Sequence, residues 1–304
     1  MKSTSVVAAL SLVVCVSGCA LDGSQPAPVS DEHVGKTSEA LSGLIFATWG
    51  GVGGENSQSS DQPFFTNDAP EYLDLNVSDG WTCWLAGVSG NLLGSVGGTV
   101  AVDRNYQDLP EVTETNWYLQ VTPSPGQALE ASAVCAPSTA TVAANQNAGQ
   151  IGGQQPGPLF TQTILTSPTS KGQFCGLSWL FPDGPGSWTS GTGSFATVSN
   201  DGTNPDDVIG GGTWTWSEER AGSGVQCAQA ATKFMFDWNI VAPASGTATM
   251  PLGTMPAGTV CFLSSVTGSF TDSNFNDGVA VKFANGAWSM TASNGKRATA
   301  TCFD

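Results

Sequence analysis

Gly80-Trp-Thr-Cys83-Trp-Leu85, Gly172-Gln-Phe-Cys175-Gly-Leu177 and Gly258-Thr-Val-Cys261-Phe-Leu263 place one pattern, G-x-x-C-x-L, at three points of a 304-residue chain. Five residues after each cysteine stands Val88, Leu180 or Val266, and two further on come Gly90 and Gly268. The middle copy departs there, with Pro182 and with glycines at Gly184 and Gly186. Downstream, each copy carries a tryptophan followed at i+2 by another apolar residue: Trp117 and Leu119, Trp214 and Trp216, Trp288 and Met290. Each ends at a second cysteine, as in Ala131-Ser-Ala-Val-Cys135 and Ala298-Thr-Ala-Thr-Cys302, with Cys227 closing the middle copy. This is a threefold internal repeat, with units at 43–136, 137–228 and 229–304.

Six cysteines allow 15 connectivities, but the repeat implies Cys83 with Cys135, Cys175 with Cys227, and Cys261 with Cys302. Each bond closes a loop of about 40 to 50 residues, worth on the order of 4 kcal/mol in the chain-entropy model. The cysteines stand singly, without C-x-x-C or a nearby histidine, which speaks against zinc. Disulfides in turn imply an exported chain.

The local pattern is that of strands. Period-2 alternation runs through Trp117-Tyr-Leu119-Gln-Val121, Gly212-Thr-Trp214-Thr-Trp216-Ser, Phe234-Met-Phe236-Asp-Trp238 and Val279-Ala-Val281-Lys-Phe283, and convincing helical periodicity is absent. Asn285-Gly286, Asn294-Gly295 and Asp201-Gly202 supply turn positions, the first two between runs that can form hairpins. The expected fold class is all-β: three β-rich repeats, each with one disulfide, either as tandem small domains or as one body with pseudo-threefold symmetry. The stretch Asn145 to Pro158 reads as a linker.

Ahead of the repeats lies an export signal, with Lys2 as a small positive region and Val6 to Val16 as an apolar run too short to span a membrane. Val16-Ser17-Gly18-Cys19 resembles the lipobox of bacterial lipoproteins. The resemblance covers only the signal. It implies removal of residues 1–18, lipidation of Cys19, and a membrane anchor through the N-terminal lipid. Ala20, rather than Asp, implies sorting to the outer membrane or cell surface, and which side the protein faces stays open. Residues 19–42 read as a polar, Pro-containing tether, and roughly 22 such residues reach about 25 Å. The single histidine, His33, lies in it.

Charge narrows the function. Against 25 Asp and Glu stand 9 Lys and Arg, for a net charge of -16. This excludes a nucleic-acid partner, whose phosphates require Lys and Arg, and electrostatic attachment to anionic lipids. Hydrophobic residues make up 40% of the chain, with 10 Trp and 14 Phe, so a sizeable core can form despite 38 Gly and 17 Pro. A Ser-His-Asp or Cys-His centre needs an imidazole that the body lacks. The phosphate-loop, zinc-protease and dinucleotide patterns are missing too. No cofactor or metal is therefore expected.

Paired carboxylates keep one alternative open, a carboxylate-dependent hydrolase such as a glycosidase, which needs two groups roughly 5 to 9.5 Å apart. The candidates are Asp206, Asp207, Glu218 and Glu219, which read more simply as a solvated acidic surface. Two oxygen-rich loops, Asp272 to Gly278 and Asn200 to Asp207, raise calcium. The first departs from an EF-hand loop by one residue before its glycine and by Phe283 at the bidentate position, so both read as Asx-rich turns.

Trp117, Trp214 and Trp288 are expected in the core. Trp188, set among Pro182-Asp-Gly-Pro-Gly-Ser-Trp-Thr-Ser-Gly-Thr-Gly, is expected at an exposed loop, available to stack on a sugar or anchor a protein. The expected function is a non-catalytic surface lipoprotein that binds glycan or protein through its loops or has a structural role in the envelope. Its oligomeric state is left open.

Overall fold

The computed structural model describes residues 44–52, 72–92, 98–104, 116–138, 140–145, 159–167, 173–182, 186–191, 193–201, 212–229, 235–272 and 274–304. The signal, Cys19, the tether with His33, residues 146–158, and Asp206 and Asp207 lie outside them.

Among the described residues every repeat contributes six strands. The first gives β1 (Ile45–Val52), β2 (Tyr72–Asp74), β3 (Trp81–Gly90), β4 (Thr99–Asp103), β5 (Tyr118–Thr122) and β6 (Ala128–Pro137). The second gives β7 (Ala140–Asn145), β8 (Phe160–Ser167), β9 (Gln173–Phe181), β10 (Phe195–Asn200), β11 (Gly212–Glu219) and β12 (Gly222–Gln229). The third gives β13 (Met235–Val241), β14 (Thr247–Pro251), β15 (Val260–Thr267), β16 (Gly278–Ala284), β17 (Ala287–Ser293) and β18 (Arg297–Phe303). The alternating runs form β5, β11, β13 and β16, with Trp117 just ahead of β5 and Phe234 outside the described residues. Asn285-Gly286 and Asn294-Gly295 each have φ > 0 at both residues, the geometry of the tight hairpin turns that join β16 to β17 and β17 to β18.

The strands form three antiparallel six-stranded sheets, and no sheet belongs to one repeat. Sheet I runs β1-β6-β3-β16-β17-β14, sheet II β13-β18-β15-β10-β11-β8, and sheet III, read from its β7 edge, β7-β12-β9-β4-β5-β2. In each, the first, sixth and third strands of one repeat join the fourth, fifth and second strands of another. The cycle closes, since repeat 1 completes sheet III with repeat 2, repeat 2 completes sheet II with repeat 3, and repeat 3 completes sheet I with repeat 1. The three repeats are thus one interlocked body, not beads, and share a single hydrophobic core.

The G-x-x-C-x-L strands, β3, β9 and β15, make this exchange work. Their cysteines pair directly across to β6, β12 and β18 as Cys83–Cys135, Cys175–Cys227 and Cys261–Cys302. Three residues later the register shifts at Ala86, Ser178 and Ser264. A bulge bends and twists its strand, and beyond it each strand continues onto the neighbouring repeat's β16, β4 or β10. The repeated Leu85, Leu177 and Leu263 are fully buried, as are Leu180 and Val266 and nearly so Val88. Removing one bond, with Cys175→Ala and Cys227→Ala together, is expected to cost about 4 kcal/mol for a loop of this length. Denaturant melts would report it, and a loss below about 1 kcal/mol would show that the interlocked sheets hold the loop without the bond.

β3, β9 and β15 also touch one another. The residue after each first cysteine, Trp84, Gly176 or Phe262, meets the other two where the repeats converge. Trp84 stacks on Phe262 with ring centres 4.6 Å apart, and a Cβ on Gly176 would lie 2.4 Å from the Phe262 ring and 2.8 Å from the Trp84 ring. One of the three positions must therefore be glycine so that the other two can be large. Phe303, after the last cysteine, stacks on Phe174 at 4.3 Å. The Trp84 indole donates to the Gln226 carbonyl at 3.0 Å, tying repeat 1 to repeat 2.

Candidate functional site

The repeated tryptophans are core residues: Trp117, Trp214 and Trp288 are at most 2% exposed, and their partners Leu119, Trp216 and Met290 are fully buried. Trp117 Nε1 donates to the Trp81 carbonyl and Trp288 Nε1 to that of Thr259, the equivalent position two residues before the cysteine.

Trp188 corrects the expectation of an exposed loop indole. It is fully buried, its Nε1 donates to the Phe181 carbonyl at 2.9 Å, and its ring packs edge-on against Phe270 at 5.6 Å. An indole so enclosed has no face for a ligand. The reason is the repeat itself, because Gly90-Asn-Leu92, Gly186-Ser-Trp188 and Gly268-Ser-Phe270 are three copies of one corner. Leu92 N–H donates to the Phe270 carbonyl and Phe270 N–H to that of Trp188, and all three side chains are fully buried.

The candidate carboxylates do not form a facing pair among the described residues. Glu218 is buried and accepts from Ser223 Oγ at 2.6 Å, while that hydroxyl accepts from Trp216 Nε1 at 2.9 Å. Glu219 points to the opposite face of β11. Asp237 is an exposed residue of β13, yet crowding of its carboxyl by surrounding protein atoms raises it above its usual range, partly offset by the hydroxyl of Thr301, which donates to it at 2.7 Å. Its same-face neighbours on β13, Met235 and Asn239, carry no second carboxylate.

In the loop from Asp272 to Gly278, Asn274 Oδ1 accepts the Asn276 N–H in an Asx turn. Asp277 turns inward, and its Oδ1 accepts from Lys296 Nζ, Ser293 Oγ and Asn294 Nδ2. That carboxylate is already neutralised by an ammonium. No group of three or more His, Cys, Asp or Glu suited to a metal lies among the described residues.

The site that stands out does so by comparing the three sheets at matched positions. Just past the bulge, sheet III pairs Trp179 with Gly224 and Phe181 with Gly222. The two rings lie 5.1 Å apart over those glycines, and a Cβ on Gly222 would fall 2.5 Å from the Phe181 ring. Sheet II pairs Ser265 with Thr299 and Thr267 with Arg297. Sheet I pairs Gly87 with Ser132 and Ser89 with Glu130, and here the glycine lies on the strand that carries the aromatic rings in sheet III.

Small residues continue across sheet I: Gly278 and Ala280 beside Ser89 and Gly87, then Thr291 beside Ala280. The result is a groove of about 270 Å³ on the outer face of sheet I, with Phe275 among its lining residues. Lys282 lies four residues along β16 from the row that holds Glu130, so the two charges are roughly 13 Å apart along the strand direction. On the floor, Ser132 is 8% exposed and its hydroxyl has no hydrogen-bond partner among the described residues. It overhangs Gly87, where a Cβ would come 2.6 Å from Ser132 Oγ and 2.9 Å from the Ala280 side chain.

A second concavity of about 380 Å³, apolar and lined by Leu44, Met255, Phe283 and Trp288, lies beside the loop from Gly253 to Gly258.

No known protein family matches the chain, and no characterised protein or solved structure is similar to it. Three disulfides indicate an extracytoplasmic location.

Sequence reasoning missed the groove residues Gly87, Ser132 and Glu130. The signal was available once the repeats were aligned past the bulge, where one copy has aromatic residues opposite glycines and another a glycine opposite serine.

Proposed function

We propose that the chain is an exported, membrane-tethered lipoprotein of the outer membrane or cell surface that binds glycan or protein without transforming it. Its contact face is the groove of sheet I. The observation that carries this reading is the open floor at Gly87 and Ser132, at a position that the chain fills with its own aromatic rings in sheet III. Among the described residues that line the groove Glu130 is the one carboxylate, where a glycosidase would use two, which favours binding over hydrolysis.

The mature chain carrying Cys19→Ser, fluorescently labelled, is expected to bind intact cells or isolated envelopes saturably and to leave a panel of glycosides uncleaved. Absence of saturable binding, or turnover of any glycoside, overturns the reading. The lipid anchor has its own test. Cys19→Ser is expected to move the protein from the membrane to the soluble fraction, and retention of the variant in membranes would show that Cys19 is not the anchor.

A further inference from the structure

Resting on the reading of sheet I as the contact face, we propose that the groove takes a neutral saccharide, with the Ser132 hydroxyl as a polar anchor on the floor and Gly87 making room for a sugar ring.

The Ser132 hydroxyl is the first reason. Ser132 is 8% exposed, and its hydroxyl opens into the groove, where it takes no bond from the described residues and a ligand hydroxyl can replace water on it. A sugar hydroxyl both donates and accepts, so it satisfies a serine in either orientation. Around it stand more groups of the same kind, Thr48, Ser89 and Thr291. Glu130 also lines the groove and brings carboxylate oxygens, which accept strong bonds from hydroxyls. Phe275, half-buried at the groove, offers an apolar surface for the C–H face of a pyranose.

Two competing ligand classes fit less well. An extended peptide gains affinity by adding to a sheet edge, but the floor is the middle of sheet I, where β3 is paired on both sides by β6 and β16. A polyanion meets a protein of net charge -16 and, among the described lining residues, Lys282 alone as a cation, so its approach is repelled.

The molecule supplies its own plug. Gly87→Trp with Ser132→Gly recreates in sheet I the cross-strand pair that sheet III already accommodates as Trp179 and Gly224. Ser132→Ala removes the hydroxyl without adding bulk, and keeps the test decisive if the double variant fails to fold. The mature Cys19→Ser chain would be applied to an array of neutral, anionic and cationic oligosaccharides, and the best neutral oligosaccharide then titrated calorimetrically.

At least one neutral oligosaccharide is expected to bind, about tenfold or more weakly to the double variant and at least threefold more weakly to Ser132→Ala, with unchanged circular dichroism for the latter. Binding of charged saccharides alone, or equal binding by wild type and Ser132→Ala, overturns the proposal. Saturable binding to cells with no saccharide bound also overturns it, while leaving the wider reading of a surface-binding protein intact. Loss of both ends the two together.

Discussion

Trp188→Ala is expected to destabilise the protein by about 3 to 5 kcal/mol, as much as Trp288→Ala, because both delete a fully enclosed indole from a core that cannot collapse to fill the space. Trp188 stands where repeat 1 has Leu92 and repeat 3 has Phe270, and the three corners are hydrogen-bonded in series. Its backbone sits at φ 56°, a left-handed conformation that costs a bulky residue about 1 to 2 kcal/mol. Alanine keeps that cost and loses the packing. Because the other copies have already solved the same corner, Trp188→Phe and Trp188→Leu should lose less than alanine, in that order. Urea melts of the three variants beside Trp288→Ala would measure the series. A Trp188→Ala loss within about 0.5 kcal/mol, the usual range for surface changes, would mean that the indole is not held in the core.

The repeat made the fold class, the strand positions and the three disulfides legible, because burial and covalent geometry act on each copy alike. Leu85, Leu177 and Leu263 must each fill the space beside a cross-strand disulfide, and each position shows it in the sequence. What the repeat did not reveal is which strands of different copies share a sheet. Nothing in the composition of β3 distinguishes pairing with β16 from pairing with β4, since the outcome rests on the bulge at Ala86 and on the aromatic cluster of Trp84 and Phe262 closing around Gly176. Trp188 reads as exposed in the sequence for a local reason. The middle copy has Pro182 where the others have Gly90 and Gly268, and its glycine stands at Gly186, so Trp188 does not line up with Leu92 and Phe270 by distance from the cysteine, and its Gly, Pro, Ser and Thr neighbours read as a polar loop. The groove was hidden because it is a difference between copies, and a search for likeness passes over Gly87 opposite Ser132.

The same comparison of copies governs the second large effect, at the buried pair of Lys296 and Asp277. Lys296 is 1% exposed and Asp277 3%, with Nζ 2.6 Å from Oδ1 and 5.0 Å from the centre of the Phe270 ring. The equivalent of Lys296, six residues before the closing cysteine, is Leu129 in repeat 1 and Ala221 in repeat 2. The equivalent of Asp277, whose carbonyl accepts the Gly90 N–H, is Ser194, whose carbonyl accepts the Gly268 N–H. The ion pair is therefore confined to repeat 3, at a site the other two repeats build without charge.

Asp277→Ser alone leaves an ammonium stranded among apolar groups and is expected to cost about 3 to 5 kcal/mol. Lys296→Leu alone leaves the carboxylate with Ser293 and Asn294, two neutral donors, and should cost less. With both changes no charge remains to be desolvated, and stability should return to near the wild-type level or rise above it by about 1 to 4 kcal/mol. A double-mutant cycle by denaturant melts gives the coupling directly. If Asp277→Ser costs under about 1 kcal/mol, the lysine is reaching water and the pair is not the enclosed element its burial implies. If the double variant stays as unstable as Asp277→Ser, the carboxylate matters through its bonds to Ser293 and Asn294, which hold the hairpin turn between β17 and β18, and not through the ion pair.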